Sequence, residues 1–193
     1  MNKLSRNDLY SLEDYAAIRP DFRRRVMEHK KHRRVALGEH AALYFEDKLT
    51  MQYQIQEMLR IEKIFAADGI QEELDAYNPL IPDGHNWKAT FMMEYSDADH
   101  RRVELARLIG IERALYIQVD GFERVYPIAN EDLDRETEDK TSSVHFVRFE
   151  LSDAMVSAVK SGASVVAGID HPDYRGETRL AEDIRTSLAG DLH

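Results

Sequence analysis

Cysteine is absent from the 193-residue chain. That excludes disulfides, thiolate zinc sites, cysteine-ligated iron–sulfur clusters and thiol nucleophiles, and it suits a reducing compartment. Glycine (9) and proline (5) are sparse and 32% of residues are charged, so collagen-like and low-complexity classes are excluded. Long apolar runs are missing as well. The most apolar stretch, 163–169, falls well short of the ~20 residues that a membrane-spanning helix needs. Arg6, Asp8, Glu13 and Asp14 stand where a signal peptide requires an apolar run. A soluble, cytoplasmic protein with no membrane partner is expected. Recognised catalytic motifs are lacking too: there is no glycine-rich phosphate loop, HExxH, GxSxG or GxGxxG.

What is present is an apolar fraction of 43%, enough to build the core of one domain over 1–193. The net charge of −10 is unevenly spread. Residues 19–34 (RPDFRRRVMEHKKHRR) carry eight Lys/Arg against Asp21 and Glu28, a surplus of +6 that leaves −16 for the remainder. Residues 130–139 (NEDLDRETED) carry six acids against Arg135, or −5. A basic helix neutralised by its own acidic body, by a protein partner or by a second subunit is expected. Nucleic acid is not, because the overall acidity repels a polyanion and no aromatics interleave the arginines.

Hydrophobic spacing predicts an α+β fold with a largely antiparallel sheet, a helical N-terminal part (1–68) and a sheet-rich part (87–193). Ser5 and Asp8 resemble a capping box before a helix ending near Ile18, since Arg19 precedes Pro20; a second helix is predicted at 21–31. A hairpin around Gly38 follows. A long helix then runs over 47–67, capped by Asp47 and terminated by Gly69, with a loop over 70–86. Strands are predicted at 88–95, 114–119, 122–128, 144–151 and 163–169, with Asp120-Gly121 as a hairpin turn. Helices are predicted at 97–109 (Val103, Ala106 and Ile109 inward), 153–160 and 178–188.

Three residues sit where physics makes them uncomfortable. On a helical wheel Glu62 lands within the stripe of Met51, Ile55, Met58, Leu59, Phe65 and Ala66, and a buried carboxylate requires a partner. His145 alternates with Val147, Phe149 and Leu151 on the apolar face of a strand. His171 ends an apolar strand between Asp170, which could orient an imidazole, and Pro172. Each has a plain structural reading as a satisfied ion pair, a hydrogen-bonded core histidine or a turn. As a set they are the candidate catalytic residues. Lys140, Thr141, Ser143 and His145 are the candidate ligand-binding rim, because an ammonium, hydroxyls and an imidazole there lead onto a strand. No metal site is expected. Asp132, Asp134 and Glu136 have calcium-loop spacing, but Thr137 and Ser143 stand where glycine and glutamate belong. The His29/His32 pair lies among cations. No cofactor is indicated.

FEDKLTMQYQIQEMLRIEKI (45–64) and NEDLDRETEDKTSSVHFVRFEL (130–151) resemble the characteristic stretches of a bacterial family of about this length, catalogued as a domain of unknown function. The likeness extends over nearly the whole chain. It implies no catalytic residue. It does imply an accessory role in iron or peroxide redox metabolism, since genes of the family neighbour rubrerythrin-like diiron proteins and iron–sulfur proteins. Two function classes follow: an accessory or interaction protein that binds a small anionic ligand, and an enzyme, with or without a metal, built on Glu62, His145 and His171. Convergence of those three in one cleft would favour the enzyme.

Overall fold

The computed structural model describes residues 3–132, 135, 137 and 139–193. Asp134 and Glu136 of the acidic segment lie outside the described residues. The fold is α+β, as expected. Ser5 and Asp8 do form a capping box, but around a short 3-10 turn, Arg6–Asp8. The first long helix, α1 (Leu12–Lys31), starts instead at Ser11, whose hydroxyl accepts from Asp14 N at 3.0 Å.

Helix α1 runs through Pro20 without a break, contrary to the two helices predicted. Proline removes one i→i−4 bond. Ala16, whose carbonyl loses that partner, and Pro20 itself are both exposed, so the break in the ladder lies on the solvent side of the helix. Tyr15, Phe22 and Val26 on either side pack as one cluster against Leu49 and Tyr53. Burial on both flanks of Pro20 holds the segment in one piece.

Strands β1 (Arg34–Ala36) and β2 (Ala41–Phe45) form the expected hairpin, with Gly38 at φ +83° in the turn. Helix α2 (Lys48–Glu62) begins at Asp47 as predicted, its carboxylate accepting from Thr50 N at 2.8 Å, but stops five residues early. Lys63 takes left-handed backbone (φ 56°), and Ile64 N turns back onto the Leu59 carbonyl at 2.9 Å. The turn lets Ile64 pack on Met51, Ile55, Leu59 and Leu74. A third helix, α3 (Ala67–Tyr77), occupies what read as loop, so Gly69 lies inside it and terminates nothing.

Beyond a 3-10 turn at Asn78–Leu80 come β3 (Asn86–Met93), α4 (Ala98–Arg107) and β4 (Leu115–Val119). The inward face of α4 is Leu105, followed by Leu108, and not Val103, which is 53% exposed. Past Gly121, residues 122–128 pair with β4 only at Ile117 and Val125. β5 (Ile128–Ala129) instead joins β6 (Val144–Glu150). Helix α5 (Asp153–Lys160), β7 (Val165–His171), β8 (Tyr174–Arg179) and α6 (Glu182–Ala189) complete the chain. The helix predicted at 178–188 begins later, at Glu182, and Thr178 and Arg179 belong to β8. Its polar alternation, YRGETR, belongs to an edge strand with one solvated face.

The strands form two antiparallel sheets, β1-β2-β3-β6-β5 and β4-β7-β8. Phe45, Trp87, Phe91 and Phe149 from the first share a core with Leu115, Ile117, Val165 and Ile169 from the second. β8 lies against the β1–β2 hairpin: Thr178 Oγ1 donates to the Ala36 carbonyl (2.6 Å) and Tyr174 OH to that of Leu37 (2.8 Å). A Cβ on Gly176 would come within 2.8 Å of the Leu37 backbone, so only glycine permits this approach. Along β3 and β6 the odd-numbered residues face the core. Lys88, Thr90 and Met92, with Phe146, Arg148 and Glu150, point outward.

Candidate functional site

The structure does not gather the three candidate catalytic residues. Glu62 is exposed in the last residue of α2, because the helix turns away before its apolar stripe can cover it. Its expected burial is therefore overturned, and Phe65, placed on the same stripe, is 81% exposed. His171 is buried with both ring nitrogens occupied: Nδ1 accepts from Asp173 N (3.2 Å), and Nε2–H donates to the Ile109 carbonyl (3.1 Å). Asp170 does not orient it. That carboxylate lies on the other side of β7, within 3.4 Å of Arg124 and 3.6 Å of Arg175.

His145 is fully buried on the core side of β6. Its Nε2–H is shared between the Ser142 carbonyl (3.0 Å) and Thr141 Oγ1 (2.9 Å), which leaves Nδ1 to accept from the Asn130 amide (3.0 Å). The imidazole thus ties together both ends of the acidic segment. The buried Glu112 places Oε2 4.0 Å from Nε2. Lys140 is exposed, Thr141 is 1% exposed, and the Ser143 carbonyl accepts from Met93 N (2.8 Å). Thr141 and His145 turn inward onto each other while Lys140 stands in solvent, so the four do not border one concavity.

A concavity does exist on the opposite face of the same strand. A groove of about 310 Å³ lies between the end of α3 with its 3-10 turn (Asp75, Ala76, Pro79, Leu80) and the outward face of β3 and β6 (Lys88, Phe146, Arg148), with Glu131 and Asp132 at the rim. Lys88 and Arg148 are cross-strand partners, so their side chains rise together from the sheet. Arg148 is anchored: Glu131 takes Nε and Nη2 in a fork (2.9 and 2.8 Å), and Glu150 takes Nη1, three of its five N–H donors. The fork holds Glu131 below the usual carboxylate range.

Lys88 differs. It is half-buried, its Nζ donates to the Pro79 carbonyl at 2.7 Å, and among the described residues it has no ion-pair partner. Burial lowers its pKa, and the charges of Lys3 and Arg148 lower it further, with Asp83 and Glu131 acting in the other direction. Lys3 Nζ donates to the adjacent Asn78 carbonyl (2.6 Å) and is lowered chiefly by its own burial. Arg135 lies over the Phe146 ring at 4.6 Å and pairs with Asp132, while its buried Nε has no hydrogen-bond partner among the described residues. Lys88, Arg148 and Arg135 therefore surround an aromatic floor, Phe146. Strand alternation put Arg148 and Phe146 on one face of β6, but only the sheet register brings Lys88 beside them, and nothing in the letters tells that α3 and Pro79 would wall the face.

The cations of the basic segment divide into two sets. Arg33, 2% exposed, pairs with Asp191 and Asp47 and donates to the carbonyls of Phe45 (3.0 Å) and Glu46 (3.1 Å). His29 meets Asp47 at 2.5 Å, Arg19 forks onto Glu57 (2.7 and 2.9 Å), and His32 meets Asp183 at 2.8 Å. The acidic body thus neutralises the inner set, as charge balance led one to expect. Arg23, Arg24, Arg25 and Lys31 face solvent. No helix among the described residues is long and apolar enough to cross a membrane, and they contain no cluster of three metal-ligating side chains.

The whole chain superposes on the crystal structure of a protein of unknown function from Burkholderia pseudomallei K96243, with a TM-score of 0.95, 53% identity and complete coverage of both chains. No curated protein matches. The family described as protein of unknown function DUF3501 matches residues 3–192, so the chain belongs to that family.

Proposed function

We propose that this is a cytoplasmic accessory protein that holds a small anionic ligand with an apolar body in the groove over Phe146. The observation that carries the reading is Lys88, a half-buried ammonium with no counter-ion among the described residues and a donor contact to a backbone carbonyl. A buried charge favours a partner of opposite sign, and the walls of Leu80, Pro79, Ala76 and Phe146 suit an apolar body. The ligand rim expected at Lys140, Thr141, Ser143 and His145 thereby moves to the other face of β6. An acidic protein partner or a second copy is the proposed counterpart of the outward cations of α1. The iron or peroxide metabolism implied by the family resemblance is the proposed setting.

Titration calorimetry with 3-phenylpropionate tests the reading. Wild-type protein is expected to bind it, and Lys88→Met to bind at least about tenfold more weakly, the loss of one modest charge-assisted contact. Far-UV circular dichroism and urea unfolding of the variant establish that it is folded. Equal affinity of wild type and folded Lys88→Met would overturn the proposal.

A further inference from the structure

We infer that Lys88 captures carbonyl-bearing anions covalently, as a reversible imine, in the same groove. The inference rests on the groove reading above and deepens it by naming the ligand class: an oxo acid whose carboxylate is met by the cations of the groove and whose apolar part lies on Phe146.

Lys88 has the surroundings that turn a lysine into an amine nucleophile. The residue is half-buried beside an apolar floor, and among the described residues no carboxylate lies within ion-pairing distance to hold it as ammonium. Arg148 rises beside it from the paired strand, and Lys3 donates to the carbonyl next to its own acceptor. Like charges and desolvation both disfavour the protonated form, which agrees with the lowered pKa. The 2.7 Å bond to the Pro79 carbonyl uses one N–H and fixes the nitrogen without consuming its lone pair. Surface lysines such as Lys140 have none of these features.

The condensation balances without any redox partner. Ammonium first loses a proton to solvent. The Nζ lone pair then forms a C–N bond as the carbonyl π bond breaks to a hydroxyl, giving a carbinolamine. That hydroxyl departs with a proton as water while the C=N bond forms. One water is released overall, and hydrolysis reverses the sequence. A covalent bond of this kind lets an open groove of modest volume retain a small ligand.

The test incubates wild-type protein with phenylpyruvate and sodium cyanoborohydride, then maps adducts by peptide mass spectrometry. Phenylpyruvate is 3-phenylpropionate with a ketone added beside the carboxylate, so the two probes separate condensation from simple binding. Labelling at Lys88 is expected at least about tenfold faster than at Lys140, because burial and neighbouring cations favour the neutral amine at Lys88. Excess 3-phenylpropionate should protect Lys88 alone. Lys88→Arg keeps the charge, so it should still bind 3-phenylpropionate while the fast adduct disappears. Labelling of Lys88 no faster than Lys140, with 3-phenylpropionate still bound, overturns the imine and leaves the binding site standing. If neither probe engages the groove, both readings fall together.

Discussion

Glu62 and His145 share one feature in the sequence, a polar side chain aligned with apolar neighbours, and the fold treats them oppositely. Glu62 escapes because Lys63 adopts left-handed backbone and ends the helix beneath it. Glu62→Ala is therefore expected to shift stability by no more than about 0.5 kcal/mol, the range of an ordinary surface substitution. His145 does not escape. Its ring satisfies Asn130 on one side and Thr141 with Ser142 on the other, all at 2.9–3.0 Å. His145→Ala strands those groups in the core and is expected to cost about 2–4 kcal/mol. Urea unfolding of both variants checks the pair, and a larger loss at Glu62 than at His145 would contradict the structure. Strand alternation sufficed to place His145 inward. Wheel geometry failed for Glu62 because it presumed a longer helix than the Ile64 turn allows.

Among the elements, α1 departs furthest from what its letters suggest. Proline inside a helix costs about 3 kcal/mol relative to alanine, offset by up to about 1 kcal/mol from the stiffer unfolded chain. The helix tolerates it because Tyr15, Phe22 and Val26 are buried on both sides, and because Arg19 and Tyr15 converge on Glu57. Those donors, Arg19 above all, hold Glu57 at about 2. Pro20→Ala restores the donor facing the Ala16 carbonyl and is expected to stabilise the protein by about 1–2 kcal/mol, with no change in helix length. A melting temperature at or below that of wild type would show that the ring makes contacts here that the exposure of Pro20 does not suggest. β8 is the opposite case. Six polar-alternating residues carry almost no strand signal of their own, and they settle against the β1–β2 hairpin because Gly176 admits the Leu37 backbone, Tyr174 bonds to the Leu37 carbonyl and Thr178 to that of Ala36.

At the scale of the molecule, the basic N-terminal segment and the C-terminal tail are held together by charge. Asp47 and Asp191 share one buried guanidinium, Arg33, and are driven apart in acidity. Burial raises Asp191 from 3.8 to about 6, whereas Asp47 stays below its ordinary value with help from Arg33, Thr50 and His29. A carboxyl whose folded pKa exceeds its unfolded one binds more protons when folded, so its contribution favours folding at low pH and declines as pH rises from about 4 to 6. The decline is on the order of 2–3 kcal/mol. Urea midpoints of wild type and Asp191→Asn across that window are expected to show this downward trend in their difference, and a flat difference would contradict it. By itself the sequence determined the α+β class, the hairpin at Gly38, the two faces of β6, and that acids of the same chain could pair with part of the basic segment. Those features depend on near neighbours and on net charge. Only the tertiary structure decided where α2 stops, that Pro20 is tolerated, which strand pairs with β5, and that α3 with Pro79 walls Lys88 into a groove. Each of these turns on burial between segments distant along the chain, and periodicity within a single segment carries no record of what will pack against it.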